Sequence, residues 1–554
     1  MDAAIPVAQS LGQEGQGSQE SQEKRPMTNE AAEDDDDLQL LKLGYRSELA
    51  RAWGAFDNFA CSFSALYCIG GIRVLFYIAL SAGGPAAMWS SWVSGSIVAI
   101  ITAATLAEAC STYPAAGSIY YWAFRSWGGG KIGRFVSFLV AAWTLVAWTS
   151  FLATDSFGVA NYVISEVVAF NPNTSMPYET SDVKARAVAW ALSLLFLALA
   201  TSLNFLPPRT YAWVFRAGFI VIMIDILLNV IWLPIGVSKT YGFRSAEYVF
   251  TSTYNGGGTA PSLNWVLSWY LPASCLVGQD ASGHVAEETV TARKSAAKGV
   301  FWSTVASALC GFPIIILFLF CMPPIETFYD TSVPQPFINM YAMALGPHAH
   351  AVATTVAIIG AVLNTSISLV AVSRLVFAIA RDSVFPFSNV LCRVSKSKQP
   401  HNAVIFISIC AALLLCTQLP SQVAFYSLTS TSAAGSIAAY GLVGFGRAFI
   451  TRKSFRPGFW DLGRAGILCA VVTFIWNSFA FSVLCAPQYG DRAIDGDASL
   501  FNYCIVIMAG ITVIALEEWW RKSRNDWFGN LKKVNDSWDT TDDVSSVENG
   551  AASA

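Results

Sequence analysis

Cys68-Ile69-Gly70-Gly71-Ile72-Arg73 interrupts an apolar stretch, residues 54–80, that is long enough to cross a bilayer. Adjacent glycines lower the helical preference there. A guanidinium near the bilayer centre costs about 2.5–3.5 kcal/mol on insertion scales. A membrane helix that is both broken and charged near its middle faces a cavity rather than lipid. A second interrupted segment, Val277-Gly278-Gln279-Asp280, lies in another apolar stretch, residues 264–286. Paired interruptions of this kind point to the central binding site of a transporter.

The glycine pair predicts a second half-helix starting near Ile72, with unpaired N–H groups at mid-membrane and Arg73 beside them. Either a carboxylate binds there, or the glycines serve close helix packing and Arg73 pairs with an intramembrane acid. Asp225 sits between Ile224 and Ile226 in a further apolar stretch. It is the partner of Arg73, a titrating group in ion coupling, or an acid bonded to a nearby hydroxyl. In the later segment Pro272, Gly278 and Gly283 oppose an unbroken helix. Asp280 falls at the break, where it caps the next half-helix or holds an amine or a proton.

Composition fixes the class. Of 554 residues, 54% are hydrophobic and 13% charged, against about 25% charged in soluble domains. Mean hydropathy is +0.48. The chain reads as an all-α integral membrane protein whose first partner is the lipid bilayer. Twelve transmembrane helices are predicted, at 54–80, 86–109, 132–155, 187–206, 213–236, 264–286, 299–322, 350–380, 402–419, 422–446, 465–487 and 498–518. Each is near the length of about 20 residues that a bilayer requires. The loops after the even-numbered spans, with their edges, carry seventeen lysines and arginines against five in the opposite loops. That bias predicts cytoplasmic termini.

Residues 1–45 form an acidic cytoplasmic tail, with Asp34-Asp35-Asp36-Asp37 near its end, and its composition predicts disorder. No cleavable signal is legible in it. A ten-helix transport core is expected over 46–450, then two more helices over 451–520, then a cytoplasmic tail over 521–554. The basic residues are scattered over short loops, so nucleic acid is not an expected partner.

The twelve cysteines fall mostly in apolar stretches without a C-x-x-C pair, and the four histidines do not join them at zinc spacing. No metal or other cofactor is expected. Cys321 and Cys485 both fall near the expected outer face and form a candidate disulfide. Asn173-Thr174-Ser175 is a glycosylation sequon in an expected outer loop, but the same pattern recurs at Asn364 inside a span and at Asn535 in the tail. Nucleotide-binding and hydrolase signatures are absent from the sequence, which disfavours both ATP-driven transport and enzyme activity. Glu108, Glu287 and Glu288 lie toward the cytoplasmic ends of their spans and are read as gate latches bonded to loops or arginines.

Three stretches carry a resemblance. Ala107-Glu108-Ala109-Cys110-Ser111-Thr112-Tyr113-Pro114 with Ala115-Ala116-Gly117-Ser118 resembles the close of the second helix in amino acid–polyamine–organocation permeases. Gly278-Gln279-Asp280-Ala281-Ser282-Gly283-His284 through Glu288-Thr289 resembles the sixth-helix motif of the amino acid/choline branch. Ser373-Arg374-Leu375-Val376-Phe377 through Arg381-Asp382, with Phe385-Pro386, resembles that branch's eighth-helix ending. The resemblance runs from about Leu43 to Trp520, and the acidic tail is similar to that of fungal members.

The resemblance implies a 5+5 inverted repeat, over about 54–236 and 264–446, plus two C-terminal helices. It places a substrate between unwound helices one and six. That nominates Cys68, Ile69, Gly70, Gly71, Ile72 and Arg73 with Val277, Gly278, Gln279 and Asp280 as binding residues. Asp225, Glu108, Glu287 and Glu288 are the coupling or gating candidates. A fixed cation at Arg73 disfavours a purely cationic substrate unless Asp225 or Asp280 neutralises it. The expectation is therefore a proton-coupled importer of an amino acid or a GABA-like molecule at the plasma membrane. Choline, a polyamine or a cationic vitamin is the alternative ligand, and a non-transporting nutrient sensor is the alternative of another class.

Overall fold

A left-handed tyrosine divides the first span. In the computed structural model, which describes residues 29–170, 182–258, 261–329, 333–382, 387–487, 501–523 and 527–528, Tyr67 has φ 32° and ψ 55°. It separates α2 (Ala55–Leu66) from α3 (Cys68–Ser81), and α1 (Asn29–Lys42) precedes both. The backbone therefore opens at Tyr67 and not at the glycines, which lie inside α3. Such a conformation costs a non-glycine residue about 1–2 kcal/mol and persists where the surroundings over-determine it. Here the Tyr67 carbonyl accepts the Gly71 N–H at 3.0 Å, and its hydroxyl donates to the Ala357 carbonyl at 3.1 Å. The glycines make room instead: a Cβ at Gly70 would overlap the Tyr67 ring, and one at Gly71 would lie 3.0 Å from the Cys275 sulfur.

Long helices follow: α4 (Gly84–Thr112), short α5 (Ser118–Ser126), α6 (Lys131–Phe170), α7 (Val183–Leu203) and α8 (Pro208–Lys239). At 40 residues, α6 runs well past the expected end at 155. The next apolar stretch is broken into α9 (Ala246–Thr251), α10 (Pro261–Leu267), α11 (Tyr270–Cys275) and α12 (Ala281–His284). Then come α13 (Ala292–Cys321), α14 (Ile325–Tyr329) and α15 (Pro336–Arg381), the last kinked where Gly346 takes φ 77°. The chain continues as α16 (Ser388–Leu391), α17 (His401–Leu415), α18 (Gln422–Phe445), α19 (Gly466–Cys485) and α20 (Cys504–Glu518).

Among the described residues, ten helical segments are long and apolar enough to cross a membrane. The stretch over α10–α12 is too interrupted to qualify, and α20 has 15 residues. The segment over α2 and α3 is 78% buried in its apolar window, against 22% for α7. The broken segment thus sits inside the bundle, while α7 turns most of its surface outward.

Residues 29–45 depart from the expected disorder. Leu40, Leu43 and Tyr45 are buried, and the Asp36 carboxylate accepts the Ala292 N–H at 3.1 Å at the start of α13. The acidic run is usable because a helix N-terminus favours negative charge. At the other end of the chain Trp527 and Phe528 are buried beside Tyr120. Cys321 and Cys485 are not bridged to each other, and the Cys485 sulfur instead lies 3.8 Å from that of Cys504. The Asn173 sequon, Phe385-Pro386, Arg492 and the tails at 1–28 and 529–554 lie outside the described residues.

Candidate functional site

The two broken segments meet. Gly71 of α3 packs on Cys275 at the end of α11, and beside them opens a cavity of about 540 Å³. That is within the size range of small-molecule sites, about 300–1,000 Å³. Leu66, Tyr67, Gly70 and Gly71 line it from the first break and Val277 from the second. Gln335 at the start of α15, Arg186, Gln418 and Asn502 also line it.

The far end of α15 is shut. Arg381 donates to Glu287 at 2.8 Å, and Arg374 to Glu288 at 2.6 Å. Arg447 donates to Glu108 at 3.1 Å. Tyr45 and Tyr120 donate to the Asp382 carboxylate at 3.1 and 2.8 Å. The three glutamates expected at latches are thus each engaged by an arginine. The α1 segment lies over this closed end through Tyr45 and Asp36.

Arg73 does not line the cavity. It donates two hydrogen bonds to Asp225, at 2.8 and 2.5 Å, and both residues are buried. Asn229 donates to the same carboxylate at 3.0 Å, and Tyr67 accepts from Arg73 at 3.2 Å. A bidentate, hydrogen-bonded pair like this cancels the charge of both members. Cys68, Ile69 and Ile72 are buried in the helix packing and also lie off the cavity.

At the second break Gly278 takes φ 106°. Its N–H donates to the Tyr440 hydroxyl at 3.2 Å, and Ser62 donates to the Gln279 carbonyl at 3.1 Å. Neighbouring helices thus satisfy the opened backbone. Asp280 stands at the N-terminus of α12, yet its side chain makes no capping bond. With only four residues, α12 has little dipole to offer. The carboxylate instead accepts from Tyr440 at 2.5 Å and lies 3.2 Å from His284 Nε2.

The acidic side chain on the cavity wall is Asp155, on α6, which accepts from Thr365 at 2.5 Å. Asn364, one residue before Thr365, also lines the cavity. Its amide nitrogen is spent on the Ser64 and Ala65 carbonyls, which leaves the buried Oδ1 with no hydrogen-bond partner among the described residues. Around these acceptors stand the rings of Tyr67, Phe151, Phe157, Tyr162 and Tyr270. Sequence reading missed Asp155 because it fell at the expected edge of a span, whereas α6 continues past it to Phe170 and sets it on the cavity wall. The signal for His284 was its i, i+4 spacing from Asp280.

A sequence model described as amino acid permease matches residues 54–511. The chain belongs to that family. It is 44% identical to the thiamine transporter thi9 of Schizosaccharomyces pombe over 510 residues, 87% of this chain and 85% of that protein. It is 26% identical to the amino-acid permease BAT1 of Arabidopsis thaliana, over 90% of this chain and 97% of that one. The GABA-specific permease of Saccharomyces cerevisiae is 25% identical over 88% of this chain and 84% of its own. As a family member with ten long apolar helices among its described residues, the chain is a membrane transporter of a small molecule and not an enzyme.

Proposed function

We propose that this permease imports a small aromatic organic cation, thiamine being the first to test, by alternating access. The observation that carries this reading is the charge on the cavity wall: Asp155 lines it, while Arg73 is sealed off with Asp225. The condition that would have favoured a carboxylate substrate, an uncompensated Arg73 at the site, is not met, and the guanidinium that does line the cavity, Arg186, donates to the Leu419 carbonyl at 3.2 Å. Asp155 supplies the counter-charge, Asn364 Oδ1 accepts from an exocyclic amine, and the tyrosine and phenylalanine rings stack on the heterocycle. The relative named a thiamine transporter supports the same class of ligand.

The seventeen-to-five bias of basic residues supports placing the closed, α1-bearing end in the cytoplasm. The cavity then faces outward, as an importer of the cell surface requires before loading. Inward release needs the three arginine–glutamate latches to part.

An amino-acid or GABA-like substrate is the second reading. It is favoured by the start of α3, where Gly70 lines the cavity and precedes the first in-helix bond, which leaves its N–H for a carboxylate. Two relatives with amino-acid or GABA names support it.

Uptake of labelled thiamine into cells lacking their own thiamine carrier, with choline, GABA and neutral amino acids as competitors, separates the two. Saturable thiamine uptake that the amino acids do not inhibit is expected. Uptake of labelled amino acid or GABA, with no thiamine uptake, would reject the cation reading.

A further inference from the structure

His284 and Asp280 share a proton that the fold gives no means of omitting. His284 Nδ1 lies 3.1 Å from the carbonyl oxygen of Ala116. A carbonyl only accepts, so Nδ1 carries the hydrogen. The other ring nitrogen, Nε2, lies 3.2 Å from Asp280 Oδ2. Two lone pairs at that distance repel, so one proton lies between them. It makes either an imidazolium with a carboxylate or a neutral imidazole with a carboxylic acid. The pair is uncharged in both forms.

The rest of the carboxylate is also committed. The Gly278 N–H donates to the Tyr440 oxygen at 3.2 Å, which frees the Tyr440 hydrogen for Asp280 Oδ1 at 2.5 Å. Both side chains are fully buried. Removing the shared proton would leave an uncompensated buried charge and two opposed lone pairs, a strongly unfavourable state. Relief requires that Nε2 and Oδ2 separate, and they sit on α12 and at its start, in the broken segment itself. Val277, one residue ahead of Gly278, lines the cavity.

We propose that this is the coupling proton, that His284 and Asp280 carry it together, and that it is held while the α1-bearing end is closed and released when the break at Gly278 rearranges. The proton enters from water in the cavity onto Nε2 or Oδ2 and leaves to water on the α1 side. The groups packed around α12 are otherwise settled. Glu287 and Glu288, just after it, are held by Arg381 and Arg374 of α15. From α6 the ring of Trp148 meets His284 edge to face, and at the start of α5 Ser118 donates to the Asp280 carbonyl at 3.3 Å. Asn58 and Ser62 of α2 bond Ser282, and α13 presents Gly299 to Ser282. None of these neighbours supplies a free charge to replace the shared proton. The inference rests on the transport reading above, but not on which cation is carried.

The test uses the full chain in liposomes containing a pH-reporting dye, with labelled thiamine as the probe. Thiamine–thiamine exchange reports the substrate reading. Proton entry with net thiamine uptake reports the pair. In the unaltered chain an inward gradient of about one pH unit should drive about tenfold thiamine accumulation. In His284→Gln, exchange should fall several-fold, but net uptake should no longer bring protons or respond to the gradient. Proton entry per thiamine unchanged in His284→Gln overturns the inference, as does thiamine exchange without proton entry in the unaltered chain. Tyr440→Phe is the second variant, for the case that His284→Gln does not fold. Loss of its hydrogen bond should shift the pH of half-maximal uptake by about one unit, and an unmoved profile counts against the pair. If the unaltered chain shows no thiamine exchange, the substrate reading fails. The pair is then judged by infrared titration of the purified protein, where a carboxyl or imidazolium band that persists unchanged in His284→Gln overturns it.

Discussion

Arg73 and Asp225 hold each other through two hydrogen bonds of 2.8 and 2.5 Å, with neither side chain reaching the cavity beside them. The pair joins α3 to α8 and ties the opened backbone at Tyr67 to both, because the Tyr67 hydroxyl accepts from the same guanidinium. Its opposite charges balance inside the bundle.

Removing one member leaves the other buried and unpaired, at a cost of about 3–5 kcal/mol. Asp225→Asn should therefore lower the thermal stability of the purified protein sharply. Replacing both, as Arg73→Met with Asp225→Leu, should recover much of that loss. Thermal melts of the three variants check this. A double variant as unstable as the two single losses added together would show that the pair does not act as a unit.

The closed end carries its own pH dependence. Burial pushes the Asp382 carboxyl up to about 6, against the opposing pull of Arg381 and the hydrogen bonds from Tyr120 and Tyr45. A carboxyl raised in the folded state contributes stability that is fully present below its unfolded value, about 4. That contribution is lost as pH rises through about 6. Melting temperature should thus decline between pH 4 and pH 7 more steeply in the native chain than in Asp382→Asn. Parallel profiles would show that Asp382 ionises as easily folded as unfolded.

The cap at α13 links the N-terminal segment to the closed end. Asp36→Ala should cost about 0.5–2 kcal/mol, the range for losing a helix cap. Limited proteolysis near residues 29–45 should speed up in the variant, because these residues are held by this contact and by the buried Leu40 and Leu43. An unchanged cleavage rate would mean that the apolar contacts alone hold the segment.

The membrane class was legible in the sequence because apolar length acts locally, and the second break because Gly278 supplies its positive φ locally. The place of the first break was not. The Tyr67 hydroxyl is held by Ala357 and Asp225, far away in the sequence, as well as by nearby Arg73, and those distant contacts have no local signal. Pairing of Arg73 with Asp225 was one of the alternatives open in the sequence, and only the distance between them chooses it, which spacing cannot supply. Asp155 was hidden by a span boundary drawn at its own position, where α6 continues to Phe170. Conversely, the acidic run at 34–37 reads as solvated by composition, yet one of its members finds a helix N-terminus to cap.

The central claim is that Asp155 is the counter-charge for an organic cation. Equilibrium binding of labelled thiamine to the purified full chain, compared with Asp155→Asn and Asp155→Glu, tests it most directly. A charge-assisted contact is worth about 1.5–3 kcal/mol, so Asp155→Asn should bind about 10–150-fold more weakly, with Asp155→Glu retaining part of the affinity. Thiamine affinity equal in the native chain and in a well-folded Asp155→Asn would contradict the account.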